Sequence, residues 1–182
     1  MLQFKIQIKG LKNPTVWRRI LVPETLTFDE FHRIIQRVFG WENAHLYQFS
    51  ELGYKSREVI SVPNYLMGGE IDSTKVKLNK IFKTKGQKYV YIYDFGDDWI
   101  HDIKLEKITD ETGLKPSCID GEGACPPEDC GGVWGYEDLK QLFAENPESD
   151  EADEMREWLG FEDGETWDAG YFDVSGANFW FR

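Results

Sequence analysis

Tyr89-Val90-Tyr91-Ile92-Tyr93-Asp94-Phe95-Gly96-Asp97-Asp98-Trp99-Ile100-His101 is the stretch on which the fold turns. Tyr89, Tyr91, Tyr93 and Phe95 alternate with other residues, the period-two signal of a strand with one face buried. Gly96-Asp97-Asp98 supplies turn residues, so residues 89–95 and 99–106 are predicted to form an antiparallel hairpin. In strict alternation Asp94 shares the face of Val90 and Ile92, which predicts a partly buried, hydrogen-bonded carboxylate. Upstream, Leu2, Phe4, Ile6 and Ile8 alternate with Gln3, Lys5, Gln7 and Lys9, a second half-buried strand. A third strand is expected over 15–22, carrying Val16, Trp17, Ile20 and Leu21 and closed by Pro23.

One helix has clear punctuation. Thr27 with Glu30 three residues on makes a capping box, and Gly40 stands just past the last apolar position. Between them Phe28, Phe31, Ile34, Ile35, Val38 and Phe39 form an apolar stripe, which needs a sheet face to cover it. Trp17, Phe31, Ile35, Tyr91, Tyr93 and Trp99 are therefore expected to share one core. Short strands are expected at 46–49 and 58–62, loops at 64–72 and 112–133, and amphipathic helices at 136–145 and 150–159. The class is α+β: a mostly antiparallel sheet with one early helix packed on it and a helical C-terminal third. With 182 residues, 41% of them hydrophobic, a single domain over 1–182 can bury its own core.

Charge divides the chain. Residues 1–109 hold 17 Lys and Arg against 13 Asp and Glu, while residues 110–182 hold 4 against 20, within a net charge of -12. The mildly basic part includes Lys75, Lys77, Lys80, Lys83, Lys85 and Lys88, with no acidic residue between Thr74 and Tyr93. Such lysines with interleaved tyrosines could track a phosphate backbone, but the acidic balance of the whole chain disfavours nucleic acid and favours a solvated face. No apolar run reaches the roughly 20 residues of a membrane helix. Three cysteines, an odd number, fit a reducing compartment, and a cytoplasmic location is expected.

His101, Cys118, Cys125 and Cys130 have the composition of a zinc site. Their spacing is poor: six residues separate the first two cysteines and four the second pair, with Pro126-Pro127 restricting how the last two sulfurs converge. The same residues read equally as small buried hydrophobes. Asp94, Asp97 and Asp98 could gather a hard cation or serve as ordinary turn residues. Asp94-Phe95-Gly96 is not a kinase magnesium triplet, because no phosphate loop or catalytic loop accompanies it.

Pro14-Thr15-Val16-Trp17-Arg18-Arg19, Gly40-Trp41 with His45-Leu46 and Phe49, the hairpin through His101, and Cys118, Gly121, Gly123, Cys125-Pro126-Pro127-Glu128-Asp129-Cys130-Gly131-Gly132 with Gly135-Tyr136 together resemble the Ri-plasmid open-reading-frame-three-like family, also labelled TnpR-like transposon passenger proteins. The resemblance runs from about residue 5 to 174. It implies a single α+β domain associated with plasmids or mobile elements and without an established activity. Ile100 departs from the acidic residue that the family commonly carries beside the histidine. The TnpR label implies a resolvase, yet no serine here sits in the arginine-rich setting that a serine recombinase needs. The resulting expectation is a binding or interaction module rather than an enzyme, with Trp17, Arg18, Arg19, Tyr93, Asp94, Asp97, Asp98 and Trp99 lining a groove for an unknown protein or small ligand. No cofactor is expected, zinc being the metal that the cysteine set would take. The alternatives are a metal-binding protein or metal-dependent enzyme using His101 and the cysteine loop, and a DNA-associated recombination accessory.

Overall fold

Helix α1 (Phe28–Phe39) begins where the sequence places it. Thr27 Oγ1 accepts from the Glu30 amide at 3.2 Å and Glu30 Oε2 accepts from the Thr27 amide at 2.7 Å. Gly40 closes the helix at φ 96°, its N–H bonded to Gln36 O, a left-handed position that a side chain would strain. Its apolar stripe is buried against an eight-stranded sheet, with Phe31 stacking near Phe4 and Phe49 at ring distances of 5.0 and 5.8 Å.

The computed structural model describes residues 1–62, 69–111, 115–161, 165 and 167–181, without the Trp180 side chain. Residues 64–68 of the expected 64–72 loop and residues 112–114 of the expected 112–133 loop lie outside it. The strands are β1 (Leu2–Ile8), β2 (Trp17–Val22), β3 (Tyr47–Ser50), β4 (Ile60–Ser61), β5 (Ile71–Asp72), β6 (Lys88–Tyr93), β7 (Trp99–Ile108) and β8 (Ser117–Glu122). They lie in the order β5-β4-β3-β6-β7-β1-β2-β8, antiparallel except for β4 with β5. The β6–β7 hairpin is central, with Tyr91 opposite His101 and Tyr93 opposite Trp99. Paired residues share a face, so all four point towards α1 and are fully buried.

Three expectations change. Ile20 and Val22 point inward, so strand alternation puts Arg18 inward with them and Trp17 outward. Trp17 therefore leaves the core; its ring lies under Lys5 and Arg19 and its Nε1 donates to Glu122. Secondly, β8 forms inside the expected 112–133 loop, along the outer edge of β2. Its own free edge is met by Asn178, which accepts from Cys118 N at 2.8 Å and donates to Cys118 O at 2.7 Å, much as a further strand would.

Thirdly, α+β holds but the C-terminal third is not a helical layer. After β8 come α3 (Gly132–Glu145), α4 (Asp150–Trp158) and the short α5 (Val174–Ala177), separated by irregular chain. Pro147 and Gly160 interrupt that segment, and its acidic excess favours solvated turns. The lysine-rich stretch holds α2 (Leu78–Ile81), with Leu78 and Phe82 buried. Among the described residues, no helix is long and apolar enough to cross a membrane.

A polar seam runs through the core. Gln36 Nε2 donates to the Tyr91 hydroxyl at 2.9 Å, that hydroxyl meets His32 Nδ1 at 2.8 Å, and His32 Nε2 reaches Asn43 Oδ1 at 2.5 Å. Burial lowers the pKa of His32 to about 4 and that of His101 to about 3. The unfolded chain protonates both imidazoles as pH falls through about 6.5; the folded chain holds out to the lower values. Their contribution to stability is therefore complete above about pH 6.5 and is lost as pH falls towards 4 and then 3. Proton NMR at about pH 5 should find both rings neutral, where an ordinary histidine is mostly charged. Titration of either ring near pH 6.5 would contradict this burial.

Candidate functional site

Three segments meet at the turn end of the hairpin. Asp94 leaves β6 at φ 54°, a left-handed conformation that Asp adopts more readily than most side chains. This breaks the strand alternation, so Asp94 does not follow the face of Val90 and Ile92. It is 7% exposed, with Oδ1 accepting from Gly96 N at 2.8 Å and its own N–H bonded to Leu46 O. The second segment is the turn after α1, where Asn43 is also left-handed at φ 59° and delivers His45 beside Asp94.

The third segment is the loop of Cys125-Pro126-Pro127-Glu128-Asp129-Cys130. Trp41 Nε1 donates to Pro126 O at 2.9 Å, and Gly131 N donates to Asp97 Oδ2 at 3.1 Å. Gly132 lies at φ 69°, where an added Cβ would come within 2.5 Å of Asp97 O; the close approach of loop and hairpin requires glycine there. Asp129 is left-handed at φ 54°.

The Tyr93 hydroxyl ties the segments together. It accepts from Ala44 N at 3.0 Å and donates to Glu128 Oε1 at 2.9 Å, which also accepts from Glu42 N. Burial first, and then Glu128, push its pKa above the usual 10, so the hydroxyl stays a donor. The other carboxylate oxygen, Glu128 Oε2, is buried with no hydrogen-bond partner, and so is His45 Nε2, 3.7 Å away. Nε2 lies 3.3 Å from Asp129 Oδ1, and Nδ1 of the same ring lies 3.8 Å from Asp94 Oδ1. One ligand atom from each of His45, Asp94 and Asp129 falls within 4.8 Å of the others. Carboxylates gathered this closely repel one another, less strongly at Asp129, whose side chain is 71% exposed. Among the described residues, no lysine or arginine pairs with Asp94, Glu128 or Asp129.

The thiol set is arranged differently. No three of His101, Cys118, Cys125 and Cys130 bring ligand atoms within 4.8 Å of one another. His101 points into the core, its Nδ1 on Trp99 O at 2.8 Å and its ring against Phe39, Trp41 and Tyr91. Burial raises the Cys130 thiol to about 12 and lifts Cys118 and Cys125 as well, so all three stay protonated at neutral pH. The three cysteines are free.

The profile of the plasmid pRiA4b ORF-3-like proteins matches residues 1–176. The chain belongs to the plasmid pRiA4b ORF-3-like family. A relative from Sinorhizobium fredii, the uncharacterized protein y4hQ, is 36% identical over 170 residues, covering 91% of this chain and 80% of that protein. The crystal structure of a protein of unknown function, MM3350 from Methanosarcina mazei Go1, superposes with a TM-score of 0.80 at 36% identity, covering 96% of this chain and 94% of that one.

In this pRiA4b ORF-3-like chain the residues expected to line one groove are divided. Tyr93, Asp94, Asp97, Asp98 and Trp99 do stand at the hairpin end, although Tyr93 and Trp99 are core residues and Asp98 accepts from the Tyr54 hydroxyl. Trp17 and Arg19 lie on the outer sheet face, where Arg19 pairs with Glu106 at 2.7 Å and Asp120 at 2.5 Å. Arg18 is inside. Ile100, beside His101 on β7, faces away from it by alternation, so an acidic side chain there would not reach the imidazole. Sequence reasoning missed His45, Glu128 and Asp129 as site residues. Their only signal was a histidine just before a strand and two acids framed by Pro127 and Cys130.

Proposed function

We propose that this protein is a metal-binding module that holds a first-row divalent ion such as zinc between His45, Asp94 and Asp129. The observation that carries this reading is the pair of buried, unpartnered atoms, His45 Nε2 and Glu128 Oε2, set beside two further carboxylates. Buried polar atoms are almost always satisfied; a cation would satisfy His45 Nε2 directly and Glu128 Oε2 through a ligand water, while offsetting the charge of the acids. One imidazole with carboxylates suits zinc, manganese or iron(II) better than an all-oxygen ion such as calcium. Three protein ligands leave zinc a position for water or a small oxygen-bearing ligand. Glu128, fixed by Tyr93 and Glu42 through one oxygen, keeps the other free to accept a proton from that ligand.

Titrating zinc into chelator-treated protein should give one site per chain. At free zinc a hundredfold above the dissociation constant, unfolding should become harder by about 2.7 kcal/mol. His45→Ala and Asp94→Asn should abolish the uptake, whereas Cys125→Ser with Cys130→Ser should leave it intact. Uptake lost with the cysteines and retained without His45 would move the site to the thiols.

A further inference from the structure

Beside the 125–130 loop, α3 and α4 flank an open groove of about 320 Å³. Gly135, Asp138, Leu139 and Leu142 follow helical spacing on α3, and Glu151, Met155 and Trp158 do so on α4. Each helix thus turns one stripe into the groove. Leu139, Leu142, Met155 and Trp158 make its wall apolar, while Asp129, Asp138 and Glu151 make its rim acidic. Two indoles are exposed on these helices: Trp158 is 49% exposed in the groove, and Trp134, one turn before Asp138, is 82% exposed. Large apolar side chains left open to water beside polar rims mark interaction surfaces, and tryptophan is among the residues that carry most binding energy there.

We propose that this groove docks an amphipathic helix of a partner protein, with leucine-like residues on the face it inserts and lysine or arginine on its flanks. Charge complementarity selects this occupant. The rim is acidic, residues 110–182 hold 4 Lys and Arg against 20 Asp and Glu, and both indole faces attract cations. A nucleic acid or anionic membrane would be repelled by the same field. An apolar stripe between two helices with charged edges is the helix-in-groove mode of recognition. The groove shares Asp129 with the metal reading, but its apolar wall contributes no metal ligand, so Asp94→Asn should abolish zinc uptake and leave peptide binding intact.

The test uses a fluorescein-labelled synthetic helix carrying leucines on one face and lysines on the other, followed by anisotropy with the full chain. Controls are a scrambled peptide of the same composition and a peptide with glutamate for lysine. The amphipathic lysine peptide should bind saturably, and the scrambled peptide at least about tenfold more weakly. Asp138→Lys with Glu151→Lys changes two exposed residues, so the fold should be retained. It should weaken the lysine peptide by about tenfold or more and strengthen the glutamate peptide. Equal binding of the scrambled peptide, or no response to the charge swap, overturns the proposal. So does a concentration-dependent dimer that Leu142→Glu dissociates, which would assign the groove to a second copy.

Discussion

Phe31→Ala should destabilise the protein by about 3–5 kcal/mol, among the larger losses that a single truncation gives. Phe31 is fully buried in the middle of the α1 stripe, between the rings of Phe4 and Phe49. Alanine there removes the ring's transfer free energy and leaves a cavity that the sheet below is too stiff to close. Equilibrium urea unfolding should register the whole effect as a lower midpoint with an unchanged slope. A loss below about 1 kcal/mol would mean that the stripe is not seated on the sheet. Gln36 and His32 of the polar seam lie on the same helix, so His32 should also begin to titrate as α1 loosens.

Arg18→Ala is expected to be comparably severe, by about 3–5 kcal/mol. Arg18 is 2% exposed and has no carboxylate partner among the described residues; instead its guanidinium bonds Val38 O at 3.0 Å, Trp17 O at 2.9 Å and Glu122 O at 2.9 Å. Its flat faces lie against Phe172 at 4.0 Å and Phe39 at 5.0 Å. These contacts join the C-terminus of α1 to the end of β8. Burial lowers the arginine pKa below its usual value, yet the carbonyl dipoles and aromatic faces replace much of the lost hydration. Alanine would orphan carbonyls worth about 1–3 kcal/mol each if they stay buried. Arg18→Met keeps most of the packing and should lose less. Because β8 is anchored through Glu122, the Cys118 thiol should react faster with a thiol reagent in the alanine variant than in the parent. Stability within about 1 kcal/mol of the parent, with unchanged thiol reactivity, would show that Arg18 does not tie these elements together.

Local interactions were legible and long-range ones were not. The limits of α1 could be read from Thr27, Glu30 and Gly40 because a capping box and a left-handed cap are made by residues adjacent in sequence. The β6–β7 hairpin could be read for the same reason. Trp17-Arg18-Arg19 misled because an aromatic residue looks like the buried member of an alternating pair; the phase is set by Ile20 and Val22. The strand β8, with Asp120 and Gly121 in its middle, has almost no strand propensity of its own and forms because β2 offers an edge. His101 and the cysteines drew attention by residue type, whereas burial makes them neutral members of the interior. The His45 cluster needed three loops to converge and two aspartates to turn left-handed, neither of which alternation or spacing encodes.

Anomalous diffraction at the zinc edge, from crystals of zinc-loaded protein, tests the proposed metal centre most directly. The expected result is a single strong peak between His45, Asp94 and Asp129, about 2.0–2.2 Å from one imidazole nitrogen and from carboxylate oxygens. A peak at Cys125 and Cys130, or no ordered zinc at the hairpin end, would contradict it.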